Sequence, residues 1–397
     1  MFSIGLGVEV AGRFESEVPG LAVFGKIPKE IDGTFYRIMF DPFIPLQRAT
    51  LPFNCPEKAL TPHPKYDPIR DELVCFGYEA KGLGTDDVVV YALDHKGQVH
   101  QETSVKSPWR AFIHDCAITP NFIILVLWSF ETDVDHMKNG GHHWKYGANL
   151  PIFIVVPRRA SQVPPGWAPG EYRVYHGEHS LLLHTAGSWE ESDGTKLYFE
   201  SSQMAYNIFR EFEVEPPQQA PNFKADYVRW EIDLSKPTKS RAADPEVILD
   251  MPSEMVCIDE RYLTRQYNHL FRPVIAPEKQ SPLPPILPIS MNAHLLLEKK
   301  SVNKAMFDPD ANCTVEEPVL IPRSADAAEG NGWVLGMVQR LDVNRSDVVV
   351  LDTKDFSKPV AVIQLPFRTK RQIHGNWVEI QITDAFASGV PNTLKLL

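Results

Sequence analysis

Short runs of Val, Ile, Phe, Tyr and Trp, each closed by a proline, a glycine or an acidic turn, recur along the whole chain. Nowhere does a long stretch keep apolar residues at helical spacing. With 34 Pro and 23 Gly in 397 residues, long regular elements are interrupted before they can form, and an all-β fold is expected. Strands are predicted at 72–78, 88–93, 122–128, 196–200, 227–232, 333–339 and 348–351, where β-branched and aromatic residues cluster between turn residues.

A weak internal repeat narrows the architecture. Leu73 opens one strand and Asp87-Val88-Val89-Val90 follows about 14 residues later; Trp333 opens another, with Asp347-Val348-Val349-Val350 at the same spacing. Both second strands run into a Leu-Asp pair, Leu93-Asp94 and Leu351-Asp352, and Ile232-Asp233 ends a third strand similarly. Strand, loop, strand and acidic turn is what a β-propeller blade would repeat. Ordinary hairpins in a sandwich would look the same, so the pattern leaves both open. The Pro-rich stretches 161–170, 215–222 and 276–290 read as long loops capping one face of a single domain, 1–397.

Composition excludes some partners. A net charge of -11 argues against a nucleic-acid surface, which needs clustered Lys and Arg. Cys55, Cys75, Cys116, Cys257 and Cys313 are odd in number, dispersed and without a CxxC pair, so neither a disulfide framework nor a zinc ribbon is indicated. A reducing, cytoplasmic location fits them. Residues 1–10 lack a basic region followed by a long apolar core, and the longest apolar run, 122–128, is far too short to span a bilayer. No transmembrane segment is expected, while peripheral contact with a membrane stays open.

Of thirteen histidines, most sit in polar loops, among them His95, His136, His142 and His179. Four stand instead where an apolar run meets a turn: His63, His114, His184 and His374. Imidazole suits iron, copper and zinc, so four such residues form a site if they converge. Their wide spacing is not itself a ligand motif. A zinc hydrolase is disfavoured because no HExxH-like base accompanies them, and no P-loop, Rossmann fingerprint or nucleophile elbow competes.

The segments around these histidines share a family's motif order. Gly33-Thr34-Phe35-Tyr36-Arg37 with Asp41-Pro42, Thr61-Pro62-His63-Pro64-Lys65 with Phe76-Gly77-Tyr78, and Phe112-Ile113-His114-Asp115 come first. His184-Thr185-Ala186-Gly187-Ser188-Trp189-Glu190 and Ile373-His374-Gly375-Asn376-Trp377-Val378 follow. Together they resemble the carotenoid cleavage oxygenase family, which commonly carries Asn at the position of Gly187. Glu254, in Ser253-Glu254-Met255-Val256-Cys257-Ile258-Asp259-Glu260-Arg261, and Glu317, in Glu317-Pro318-Val319-Leu320-Ile321-Pro322, resemble two acidic motifs of the same family. The resemblance implies a seven-bladed propeller with non-haem Fe(II) on His63, His114, His184 and His374. It implies that Glu254 and Glu317 accept free imidazole N–H groups, and that O2 splits a conjugated C=C bond of a small hydrophobic substrate into two carbonyl products. Phe76-Gly77-Tyr78-Glu79-Ala80-Lys81-Gly82 and Val155-Val156-Pro157-Arg158-Arg159 look closest to the stilbene-cleaving branch.

One departure stands out. Between Asp41-Pro42 and His63 only about 20 residues remain, where the family carries a much longer stretch. A segment is thus expected to be missing near 43–60, and with it a third carboxylate and the Tyr and Lys that grip a substrate phenol in the stilbene branch. Lys81 does not replace that Lys. The propeller is therefore expected to be incomplete, and a scaffold that has lost a blade and its catalysis is the competing reading.

Overall fold

All seven segments predicted as strands are strands in the computed structural model, which describes residues 8–9, 22–31, 34–39, 61, 63–94, 96–147, 153–159, 163–177, 180–204, 225–276 and 291–378. The stretch 43–60, the loops 215–222 and 277–290, Cys55, His95 and His179 lie outside the described residues. The chain divides into two compact units, one of Met1–Gln47, Ser253–Asp259 and Asn268–Leu397, the other of Arg48–Pro252 and Glu260–Tyr267.

Among the described residues, the second unit holds three antiparallel sheets built as meanders in chain order. The first runs Lys65–Asp67, Glu72–Gly77, Asp87–Asp94 and Val99–Lys106. The next runs Ala111–Ile118, Phe122–Thr132, Phe153–Pro157 and Arg173–Tyr175, with Trp144–Tyr146 paired to the far end of Phe122–Thr132. The last runs Thr185–Glu190, Lys196–Met204, Ala225–Asp233 and Glu246–Leu249. Four strands in sequence order make a propeller blade; the Greek-key crossovers of a sandwich are absent from these described sheets.

Between the first two meanders Val74, Phe76, Val88 and Val90 pack with Ile113, Cys116, Ile123, Leu125 and Leu127, each buried. Phe122–Thr132 has almost no exposed residue, which is why it reads as a continuous apolar run rather than an alternating one. Each large apolar side chain so buried stabilises by about 1.5–3 kcal/mol.

The described residues of the first unit also form three sheets. Gly332–Arg340, Arg345–Asp352 and Asp355–Gln364 form a meander joined by Ala22–Gly25, with Cys313–Val315 and Val319–Pro322 on its other edge. His269–Val274, Ala293–Glu298 and Asn303–Phe307 form a second, and Val8–Glu9, Thr34–Met39 and Gln372–Val378 a third. Strands from opposite ends of the sequence are thus hydrogen-bonded in one sheet, with Trp377 opposite Phe35.

The acidic turn of the repeat has a common physical cause. Asp94 Oδ1 accepts from Lys96 N at 2.9 Å, Asp233 Oδ1 from Ser235 N at 2.9 Å, and Asp352 Oδ1 from Lys354 N at 3.0 Å. Each carboxylate closes the turn after its strand by capturing the amide two residues on. The same chemistry corrects the loop expected around His136. Asp133 caps a short helix, Val134–Lys138, through Asp135 N and His136 N at 3.1 and 2.9 Å, so His136 is helical. Among the described residues, no helix is long and apolar enough to cross a membrane.

Candidate metal centre

His63, His114 and His184 are brought together, each by the first strand of a successive meander in the second unit. His63 lies two residues before Lys65–Asp67, His114 is within Ala111–Ile118, and His184 immediately precedes Thr185–Glu190. Equivalent positions on repeated units point the same way, which brings residues far apart in sequence to one place. Ring centroids are 4.4 Å apart for His63 and His114, 4.9 Å for His63 and His184, and 5.1 Å for His114 and His184.

One ligating atom from each residue lies within 4.8 Å of the others. His114 Nε2 and His184 Nε2 are 3.2 Å apart. On a cation with bonds of about 2.1 Å, two nitrogens are about 3.0 Å apart at a right angle and about 3.4 Å apart at the tetrahedral angle. The observed separation falls between them, so the His114 and His184 donors fit a first-row metal ion, with a His63 nitrogen within 4.8 Å of both. All three rings are partly accessible.

Irregular strand pairing aims the rings. The register of Ala111–Ile118 shifts between Ile113 and Cys116, bracketing His114, and that of the following meander shifts just after His184, between Thr185 and Ser188. Bulges of this kind re-aim a side chain without ending the strand. Gly187 sits inside the second shift, its N–H donating to the Tyr267 hydroxyl at 3.3 Å. His63 is fixed from the other side: its N–H donates to Thr61 Oγ1 at 3.0 Å, and Thr61 N donates to Phe76 O at 2.7 Å.

Sequence reasoning passed over the residues around these rings. Asp115, 1% exposed, follows His114 and pairs with Lys65 Nζ at 2.9 Å. Burial alone would push the Lys65 ammonium down, but Asp115 more than offsets this and its pKa lies above the ordinary value. A wall of aromatic rings adjoins His114. Trp128 is 4.6 Å away, Phe112 stacks at 6.0 Å, and Tyr78 and Trp144 lie 5.5 and 4.8 Å from Phe112. Burial, with Glu79 adding, pushes the Tyr78 phenol above its ordinary pKa, so it is neutral at any physiological pH. The available signal was His114-Asp115 side by side in an otherwise apolar strand: adjacent residues face opposite sides, so both faces carry a polar group. Lys81 pairs at the surface with Asp87 at 3.0 Å.

His374 and Glu317 belong to the first unit and meet there. His374 Nδ1 is 3.2 Å from Glu317 Oε1, and Gly375 N donates to Glu317 Oε2 at 2.9 Å. A register shift between Gln372 and His374 again marks the histidine. Glu254 is fully buried rather than at the surface and accepts from Met255 N.

A family model described as retinal pigment epithelial membrane protein matches residues 48–379, which include all four histidines and both glutamates. The chain belongs to this family, the carotenoid cleavage oxygenases. Among its relatives is a resveratrol cleavage oxygenase 1 of Botryotinia fuckeliana, 47% identical over 359 residues that cover 89% of this chain and 62% of the relative. This family member thus spans less than two thirds of that protein. A resveratrol cleavage oxygenase 1 of Aspergillus fumigatus is 27% identical over 480 residues, covering 92% of this chain and 93% of the relative. That alignment is longer than the chain itself, so parts of the relative face no residue here. The crystal structure of Pseudomonas brassicacearum lignostilbene dioxygenase matches with a TM-score of 0.74 at 30% identity, covering 90% of this chain and 72% of that one. The all-β, blade-like arrangement is therefore the family's fold.

Proposed function

We propose that the chain holds Fe(II) on His63, His114 and His184 and uses O2 to cleave the conjugated C=C bond of a stilbenoid, of the resveratrol or lignostilbene type, into two carbonyl compounds. The observation that carries this is the convergence of three imidazole nitrogens within 4.8 Å on equivalent positions of successive meanders. His374 is assigned as the fourth ligand on its motif, with Glu317 fixing its ring and Glu254 serving another histidine in the same way. When bound, ferrous iron would supply the activation of O2. The residues of the chain orient the substrate beside it: the half-buried Tyr78, Phe112 and Trp144, backed by the buried Trp128, offer aromatic surface suited to packing a planar conjugated ring. Imidazoles add no charge, and no acid or base beyond them is assigned.

Substrate preference follows the named activities of relatives that cleave resveratrol. The dispersed, odd-numbered cysteines suit a cytoplasmic location. We assign the shortfall against longer relatives to the stretch between Asp41-Pro42 and Thr61 on motif spacing alone, since only about 20 residues separate Asp41-Pro42 from His63. Six sheets are present among the described residues, against the seven blades the family resemblance implies. The test is product analysis: the iron-loaded chain incubated with resveratrol and 18O2 should give two labelled aldehydes by chromatography and mass spectrometry. A folded, iron-loaded chain that yields no aldehyde, and gains none when a homologous segment is inserted before Thr61, would instead support the scaffold reading.

A further inference from the structure

Each of the three clustered histidines has a near neighbour in the chain that ends on one carboxylate. Asp115 is bonded covalently to His114. Lys65, two residues after His63, places Nζ 2.9 Å from Asp115 Oδ1 and 3.1 Å from Oδ2. Thr185, next to His184, donates its N–H to Asp115 Oδ2 at 2.7 Å. Its hydroxyl lies 2.9 Å from the same oxygen and 2.6 Å from Cys116 O, one proton serving both. Cys116 N donates to Asp115 Oδ1 at 2.7 Å.

We infer that Asp115 is a positioning residue that sets the spacing of the three imidazoles, an inference that rests on the metal reading above. The three histidines enter from three separate sheets, so the backbone ladders that fix strands within one sheet do not fix one histidine against another. Bonds such as Thr61 Oγ1 to His114 O at 3.4 Å and Trp128 Nε1 to Leu182 O at 2.6 Å each link two segments, whereas Asp115 ties all three first strands at one buried point within two residues of every ring. A carboxylate suits the task because its two oxygens take several donors at once, and the ammonium of Lys65 fixes it further as a charge-assisted bond. Lys65 is 15% exposed and Asp115 1%, so solvent screens the pair weakly. The two charges cancel, leaving the imidazoles as an uncharged ligand set. Displacing the carboxylate would release the backbone amides of Cys116 and Thr185 beside His114 and His184 and the Lys65 side chain that follows His63, and a site about 1 Å too loose loses much of its function.

The test uses Co(II) as a spectroscopic probe of the full chain. In the Asp115→Asn/Lys65→Met double variant the ion pair is gone but no buried ammonium is left alone. Co(II) should bind about 10- to 100-fold more weakly, the usual scale for outer partners of metal ligands. At saturating Co(II) its visible absorption band should shift in position and intensity, while the metal-free variant keeps the parental circular dichroism. Thr185→Val, which removes a single hydroxyl, should move the same band by less, and Thr185→Ser should restore it. If the double variant does not fold, the Thr185 pair decides. Parental affinity and an unshifted band in folded variants would overturn the positioning role alone. A parental chain that binds no Co(II) or Fe(II) would overturn the metal reading and this inference with it.

Discussion

Trp128 joins two of the three histidine segments, and shortening it tests whether the site is held by packing as well as by Asp115. Its indole is 4% exposed, lies 4.6 Å from the His114 ring, and donates Nε1–H to Leu182 O at 2.6 Å. Leu182 is itself buried and two residues ahead of His184. In Trp128→Phe the ring contact with His114 and the stack on Phe112 remain, but the Leu182 carbonyl loses a donor in a site with little water. That loss costs about 1–3 kcal/mol, and the smaller ring adds roughly 1 kcal/mol for the space it leaves. The expected destabilisation is therefore about 2–4 kcal/mol. Trp128→Ala removes the ring contacts too and should cost about 3–5 kcal/mol for the side chain, with the carbonyl's loss on top. Urea unfolding at constant slope measures both, and Co(II) titration should show tenfold weaker binding for each 1.4 kcal/mol that falls on the bound geometry. If Trp128→Phe stays within about 0.5 kcal/mol of the parent, as neutral surface changes do, the link between Leu182 and His114 is not structural.

Other substitutions probe the surrounding charges. Arg158, 3% exposed, pairs with the buried Asp67 at 2.7 Å and with buried Glu72; Arg158→Met removes the nearest cation from both, leaving Arg70 and Arg159 at 3.9 Å, and should cost up to about 3–5 kcal/mol in denaturant unfolding, with a loss under about 1 kcal/mol refuting the pairing. Glu317→Gln and Glu254→Gln should each weaken iron retention about 10- to 100-fold in chelator competition with circular dichroism intact; unchanged retention would return these residues to a purely structural role. Burial raises the Glu79 pKa, but bonds from His143 at 3.0 Å and from Thr132 and Gly84 N at 2.8 Å outweigh it, leaving the carboxyl below its ordinary value. A depressed folded pKa stabilises above the unfolded value of about 4.3, and this is lost as pH falls through the folded value. The parent's advantage over Glu79→Gln in thermal unfolding should thus be full near neutrality and fade in acid; an advantage that does not shrink would contradict the assignment.

Local chemistry in this chain was legible, and convergence was not. Strands such as Asp87–Asp94 and Arg345–Asp352 announce themselves because β-branched runs end in an acidic turn, and Asp94 and Asp352 close those turns as side-chain hydrogen bonding dictates. His63 and His184 stand out at junctions of apolar runs and turns. That His184 Nε2 lies 3.2 Å from a ring 70 positions earlier depends on how separate sheets pack, which no spacing encodes. The pairing of His374 with Glu317 was legible only through motif resemblance, since the two are 57 positions apart. Asp115 was missed because a lone acid beside a histidine is usually a solvated pair, and only its burial and its donors from Lys65 and Thr185 show otherwise. His136 escaped because the helix it joins is five residues long, too short for a periodic signal.

The most direct measurement is iron stoichiometry after anaerobic reconstitution and desalting, for the parent and for single alanine variants of His63, His114 and His184. The account predicts about one tightly held Fe(II) in the parent, as a single imidazole-rich site requires, and a large loss of retention in each variant without loss of β-sheet circular dichroism. A parent that retains no iron, or variants that retain as much as the parent, would contradict it.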